Sequence, residues 1–209
     1  MAGEGSRIEK IISILSKRYG YRHEKANPYR SLVTTILSQR TKDETTGKAA
    51  KRLFEVAKTP GEMVKLSDKK IAKLIYPVGF YEQKAKNIKK ASRILLEKYS
   101  GKVPSDRELL VELPGVGGKT ADCVLCFAFG KDVVPVDVHV SVVSQRLGLT
   151  KQKDPEKIRN DLDKTIPDGL KKIVNHLFVE FGKEICQTRL PKCYACPVEK
   201  LCHYEKKNL

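Results

Sequence analysis

Leu113-Pro114-Gly115-Val116-Gly117-Gly118-Lys119-Thr120 lies between two stretches of helical periodicity. Upstream, Ser105 with Glu108 forms a capping box, and the helix it opens must end before Pro114. Downstream, Ala121 to Phe129 forms a very apolar helix stopped by Gly130. The octet is therefore a short connection between two helices. Gly115 and Gly117 permit left-handed backbone and the close approach of a ligand to bare chain. The N–H groups that open the second helix, from Gly118 onward, then face outward, where a phosphate binds without any reading of sequence. An ordinary helix turn is the plain alternative. The phosphate loop of nucleotide hydrolases is a poorer one: it shares Gly118-Lys119-Thr120, but needs glycine where Leu113 stands and a strand where a helix stands.

The same helical period runs through the rest of the chain. Ile8, Ile11, Ile12 and Leu15 share a face after a capping box of Ser6 with Glu9. Pro28 opens a helix through Leu37, and Asp43 caps another carrying Ala49, Leu53, Phe54 and Val56. Thr59-Pro60 and Ser67 or Asp68 begin two short helices, and residues 82–99 form a long one. A helix follows from near Asp137 to Leu147, and Asp154-Pro155 and Pro167-Asp168 open the last two long ones. Val133–Val136 is the one strand-like stretch, too short to found a sheet. The fold class is all-α, with about ten helices and short loops.

The chain has 209 residues and a formal net charge of +16. This excess favours a polyanionic partner, nucleic acid first, because phosphate neutralisation and counterion release give sequence-independent affinity. The longest apolar run, Cys123–Phe129, is far short of the roughly 20 residues a membrane span needs. The N-terminus is amphipathic, without the unbroken apolar core of a secretory signal, so a cytoplasmic protein is expected. With no Trp and 7% aromatic residues, a stacking platform for single strands is not favoured.

Four of the six cysteines crowd into the end of the chain as Cys186-x6-Cys193-x2-Cys196-x5-Cys202. The segment has little periodicity and needs something other than an apolar core to hold it. Four thiolates at this spacing enclose one tetrahedral zinc or one [4Fe-4S] cubane. Zinc sites usually pair two short knuckles, and here there is one, so the wider spacers suit the larger core. Arg189, Lys192, Lys200, Lys206 and Lys207 make the segment basic and suited to phosphates. Cys123 and Cys126 also form a C-x-x-C, but inside CVLCFAF they read as small core residues.

Lys119 stands just inside the apolar helix, at its positive end. Burial and the helix dipole there would disfavour the ammonium and free an amine for attack on an electrophilic carbon. A snorkelling lysine that touches phosphate is the equal alternative. Asp137 follows 18 residues later, after the apolar helix and a turn with Pro135. Its plain role is an N-cap; beside an amine it also suits a proton acceptor or a stabiliser of a sugar cation. His139 more often orients a hydrogen bond or packs than catalyses.

Together these pieces resemble the endonuclease III family of DNA glycosylases: LPGVGGKT at 113–120, a Gly/Pro segment, VDVHV at 136–140 and the four-cysteine spacing. ILSQRTKD at 36–43 and VGFYEQKAKNI at 78–88 extend the similarity, which covers about Asn27-Pro28 to Cys202. The resemblance implies a two-lobed helix-hairpin-helix fold. One lobe, 24–132, carries the hairpin; the other combines 1–23 with 133–209 and holds a [4Fe-4S] loop at 186–202, with the active-site cleft between the lobes. It implies a bifunctional N-glycosylase and AP lyase of base excision repair for oxidised pyrimidines such as thymine glycol, acting on a flipped base. Lys119 matches the nucleophile that forms a Schiff base at C1′ before β-elimination 3′ to the site. Asp137 matches the family's aspartate, and Cys186, Cys193, Cys196 and Cys202 match the cluster ligands.

Monofunctional thymine- or adenine-mismatch glycosylases of the same fold are the alternative, but they usually lack an amine at the position of Lys119. The expected DNA contacts are Gly115, Gly117, Gly118, His139, Arg189, Lys192 and the gap-filling residues. Arg40, with Gln39 beside it, stands where relatives carry the gap-filling Gln. Phe80 matches an apolar wedge, its alternative being an ordinary core or turn aromatic. The expected partner is double-stranded DNA carrying a damaged base or abasic site, bound by a monomer without any membrane, in association with a prokaryotic nucleoid.

Overall fold

The computed structural model describes residues 2–21 and 26–209, so the expected lobe boundary at 24 lies outside the described residues. Among them every regular element is helical, and no helix is long and apolar enough to cross a membrane. The chain divides into two compact units, Lys25–Phe129 and Met1–Glu24 with Gly130–Leu209.

The first unit contains α2 (Pro28–Ser38), α3 (Asp43–Val56), α4 (Pro60–Lys65), α5 (Asp68–Ile75), α6 (Tyr81–Tyr99), α7 (Arg107–Val111) and α8 (Gly118–Phe129). Helix α2 packs against α3, α6 and α8, with Leu32, Val33, Ile36 and Leu37 buried. Asn27 accepts from the Arg30 N–H and Pro28 opens the helix, an N-terminus readable in the sequence. Thr59 and Glu62 form a full capping box on α4. Helix α7 starts one residue later than its sequence signal, because the carboxylate of Asp106, not the Ser105 hydroxyl, takes the Leu109 N–H. Helix α8 buries Ala121 through Cys126, at about 1.5–3 kcal/mol for each fully buried Val or Leu. Cys123 and Cys126 are both buried there, as core residues.

The second unit contains α1 (Ala2–Tyr19), α9 (Val138–Arg146), α10 (Pro155–Thr165), α11 (Lys171–Glu184) and two 3-10 turns, Cys193–Ala195 and Glu199–Leu201. Ile8, Ile11, Ile12 and Leu15 of α1 join Val140, Val143, Leu177, Phe178 and Phe181 in one core. Arg18 and Glu184 pair side by side between α1 and α11, and the guanidinium holds the carboxyl of Glu184 down at about 2.

Three further helix starts differ from expectation: Asp43 is the first residue of α3, behind Lys42, and caps nothing. Ser6 lies inside α1, which begins at Ala2, so it is not a cap. Helix α11 begins at Lys171 rather than at Pro167-Asp168, because Gly169 turns left-handed at φ 84°. The Asp132 carboxylate then accepts from the Gly169 and Lys172 N–H groups, a cap supplied from far along the chain. Val133–Val136 forms no strand.

Candidate functional site

In the Lys25–Phe129 unit the octet at 113–120 does form the connection between α7 and α8. Leu113 and Val116 are buried and pin it, and Val116 N donates to Leu113 O at 3.0 Å. Gly115 takes φ 83°, and a Cβ there would lie 2.9 Å from Asn87 Nδ2. Gly117 does not adopt a left-handed φ, because a single reversed residue closes the turn. Open space nevertheless lies where its side chain would be, so the backbone entering α8 is accessible. Gly118 is the first residue of α8 and Lys119 the second.

Lys119 is exposed, not buried as the apolar neighbours suggested. Its position in the first helical turn turns it away from the buried face, which begins at Thr120. Its amine makes no hydrogen bond or ion pair among the described residues.

Two loops of the same unit carry the expected gap-filling residues. Gln39 and Arg40 follow α2, and Gly79-Phe80 precedes α6. Gln39 Nε2 donates to Gly115 O at 2.8 Å and to Thr120 Oγ1 at 3.1 Å, which ties this loop to the octet. Arg40 is exposed, with φ 51° and its guanidinium carbon 5.7 Å from the centre of the Phe80 ring. Phe80 is 65% exposed with φ 57°, which removes the core-aromatic reading. Tyr76 stands exposed nearby, its ring edge-on to Tyr81 at 5.3 Å.

Lys84 was not singled out by the sequence. It lies on the apolar stripe Lys84–Ile88–Ala91–Leu95 of α6, a lysine at a core register. Its amine is buried beneath the first loop, and burial pushes its pKa down to about 8.

In the other unit Asp137 caps α9. Its Oδ1 accepts from Val140 N at 2.8 Å, and its other oxygen has no hydrogen-bond partner among the described residues. The plain role is thus real, and it also fixes the carboxylate while leaving one oxygen available. The ring of His139 packs against α11, where a Cβ on Gly182 would sit 2.8 Å from its Nδ1.

Cys186, Cys193, Cys196 and Cys202 line one small cavity with Arg146, Phe181, Ile185, Pro191 and Tyr204. No group of three or more His, Cys, Asp or Glu among the described residues is placed to hold a metal ion directly. Burial raises the Cys196 thiol to about 11 and also raises Cys186; the neighbouring cysteines add to both. Four sulfurs gathered in one place, with burial holding two of them off the charged form, suit a bound cationic core, which would stabilise the thiolates. Arg146, also missed by the sequence reading, donates to Cys186 O at 3.1 Å, Gln187 O at 2.8 Å and Thr188 O at 2.8 Å. Its guanidinium lies 4.8 Å from the Tyr204 ring centre. Arg189 is exposed beyond this anchored stretch, and Lys192 is half-buried.

Residues 33–168 match the HhH-GPD superfamily of base excision DNA repair proteins. The chain is 43% identical to endonuclease III of Thermotoga maritima over 201 residues, 96% of this chain and 94% of that one. Its backbone is similar to that of endonuclease III in a trapped covalent intermediate with DNA, an estranged-adenine complex, at a TM-score of 0.86, 35% identity and 95% coverage of both chains. A thermostable thymine-DNA glycosylase also aligns at a TM-score of 0.86, with 29% identity over 97% of this chain and 98% of that one.

Proposed function

The chain belongs to the endonuclease III family of the HhH-GPD superfamily, and from that premise we propose that Lys119 is the nucleophile of a bifunctional DNA glycosylase and AP lyase acting on oxidised pyrimidines. The target nucleotide swings out of the duplex. The Lys119 amine, once deprotonated, bonds to C1′ as the bond from C1′ to the base breaks and the base leaves with that electron pair. The attached nitrogen then gives up one of its two protons, and its lone pair opens the sugar ring as O4′ takes up a proton, which leaves a protonated Schiff base. Loss of a C2′ proton expels the 3′ phosphate by β-elimination and cuts the strand. Asp137 supplies the carboxylate that takes up the lysine proton or stabilises the developing sugar cation. The observation that carries this reading is an exposed, unpartnered amine at the second residue of α8, in a chain similar to one trapped covalently on DNA.

Backbone N–H groups of Gly115, Gly117 and Gly118 take a DNA phosphate at the start of α8, while that of Val116 closes the turn on Leu113 O. Arg40 fills the gap left by the flipped base, braced by Gln39, and Phe80 wedges beside it. His139, Arg189 and Lys192 contribute further DNA contacts, and the protein works as a monomer. Gly115→Ala is expected to cost about 1–3 kcal/mol of stability, from strained backbone and the close approach to Asn87, and to weaken binding to an abasic-analogue duplex several-fold. Thermal unfolding and a gel-shift titration check the two effects.

The four cysteines fit a [4Fe-4S] cluster: their sulfurs share one cavity, and Arg146 anchors the chain at Cys186. When bound, such a cluster would supply cross-links through Cys186, Cys193, Cys196 and Cys202 to a segment with little buried apolar surface. Arg189 and Lys192 are thereby held for phosphates.

Paired duplexes carrying thymine glycol or a G·T mismatch test the function. Strand scission at thymine glycol without added alkali is the expected result. Base release only from the mismatch, with the strand left intact, favours the monofunctional reading instead.

A further inference from the structure

Helix α2 ends at Ser38, and its last carbonyls need donors. Ser38 Oγ serves Thr35 O and Thr41 N serves Ser38 O, and one buried side chain adds donors beside them: Lys84 Nζ donates to Leu37 O at 2.8 Å, to Gln39 O, and to Thr41 Oγ1 at 3.3 Å. Thr41 Oγ1 also accepts from Gly79 N at 3.1 Å, so one hydroxyl joins the loop after α2 to the loop before α6. The two backbones press together there, since a Cβ on Gly79 would lie 2.9 Å from Arg40 O. Each loop then presents one non-glycine residue in left-handed backbone, Arg40 and Phe80. Such conformations persist only where their surroundings hold them.

Lys84 is 4% exposed and has no acidic partner among the described residues; every acceptor it meets belongs to the 37–41 segment. A lysine kept only to fill core space would be a poor choice, because a methionine fills the same volume without a charge to desolvate. What the amine adds is donors aimed at loop oxygens.

We infer that Lys84 is a positioning residue, whose buried amine ties the 39–41 and 79–81 loops together so that Arg40 and Phe80 enter DNA as one preset pair. This rests on the reading that those two side chains occupy the duplex beside the flipped base. A residue that acts this way governs opening of the stack and not the lyase chemistry, and the two are separable.

The test compares wild type, Lys84→Met, Lys84→Arg and Thr41→Val on three readouts. The first is fluorescence of 2-aminopurine beside a tetrahydrofuran abasic analogue in a duplex, which rises when the stack is entered. The second is kcat and KM on a thymine-glycol duplex. The third is cleavage of a single strand carrying an abasic site, which needs no entry. Lys84→Met is expected to lose most of the fluorescence rise and about tenfold in kcat, while single-strand cleavage stays within about twofold of wild type. Lys84→Arg, which keeps the donors, recovers at least half of the rise. Thr41→Val shows a smaller loss in the same direction, and it carries the test alone if circular dichroism shows Lys84→Met to be unfolded.

A folded Lys84→Met with a full fluorescence rise overturns the inference. So does single-strand cleavage that falls in step with duplex turnover, and so does a wild-type response from Thr41→Val if the test rests on it. Wild type unable to cut either substrate would instead overturn the proposed function and this inference together. Wild-type cutting with an unaltered Lys84→Met overturns this inference alone.

Discussion

Lys119→Gln is expected to lower turnover on a thymine-glycol duplex by about a thousandfold or more, while affinity for an abasic-analogue duplex stays within about threefold. Glutamine keeps the length and polarity of the side chain but offers no nucleophilic nitrogen. Position 119 is exposed at the start of α8, so the substitution buries no new group and leaves no cavity. The backbone N–H groups proposed to hold the phosphate are untouched, and Lys119 is one cation among 41 Lys and Arg residues. Chemistry and binding should therefore separate. Single-turnover kinetics measures the first, a gel-shift titration the second, and an unchanged thermal midpoint excludes misfolding. A variant that still cuts the strand would show that another amine, or water, does the work.

Cys186→Ala is expected to bleach the visible absorbance of the proposed iron–sulfur cluster and to flatten the salt dependence of DNA binding. Residues 187–209 bury little apolar surface; Pro191 and Val198 are the buried apolar side chains among them. Arg146 grips the carbonyls at 186–188; beyond Thr188 a few bonds, such as Lys192 N to Ile185 O and Arg7 to Leu201 O, add to what the three remaining ligands would hold. Without the cluster, Arg189 and Lys192 are no longer held in place. Every phosphate that goes unneutralised takes about 0.9 from the slope of log affinity against log salt, so the slope should fall by about 2. Helices α1, α9 and α11 supply most of their shared core, and the loop adds only Val198, with Cys186, Cys196, Leu201 and Cys202 packed against its edge, so far-UV circular dichroism should change little. Limited proteolysis should cut first after residue 188. A cluster-free protein with the full salt slope would show that the loop makes no DNA contact.

What the sequence made legible was the local information. Proline and capping residues set the starts of α2, α4, α9 and α10 because those signals act within one helical turn. The connection at 113–120 and the four-cysteine spacing are equally local. What it hid depends on partners distant in the chain. The start of α11 is set by Asp132, which no local pattern around Pro167 contains. The exposure of Lys119 follows from its rotational position in α8 and not from the apolar content around it. Lys84 did leave a trace, a cation on an apolar stripe, but its meaning lies in carbonyls some 45 positions earlier. Phe80 and Arg40 acquire their left-handed backbone from each other's loops, which is tertiary information.

The most direct test of the central claim is to map the covalent bond. Wild-type protein is incubated with an abasic-site duplex and borohydride, the adduct is digested, and the peptide that carries the sugar is located by mass spectrometry. The account predicts a reduced sugar remnant on the side chain of Lys119 and on no other lysine in appreciable yield. An adduct on a different amine, or none at all while the strand is still cut, would contradict it.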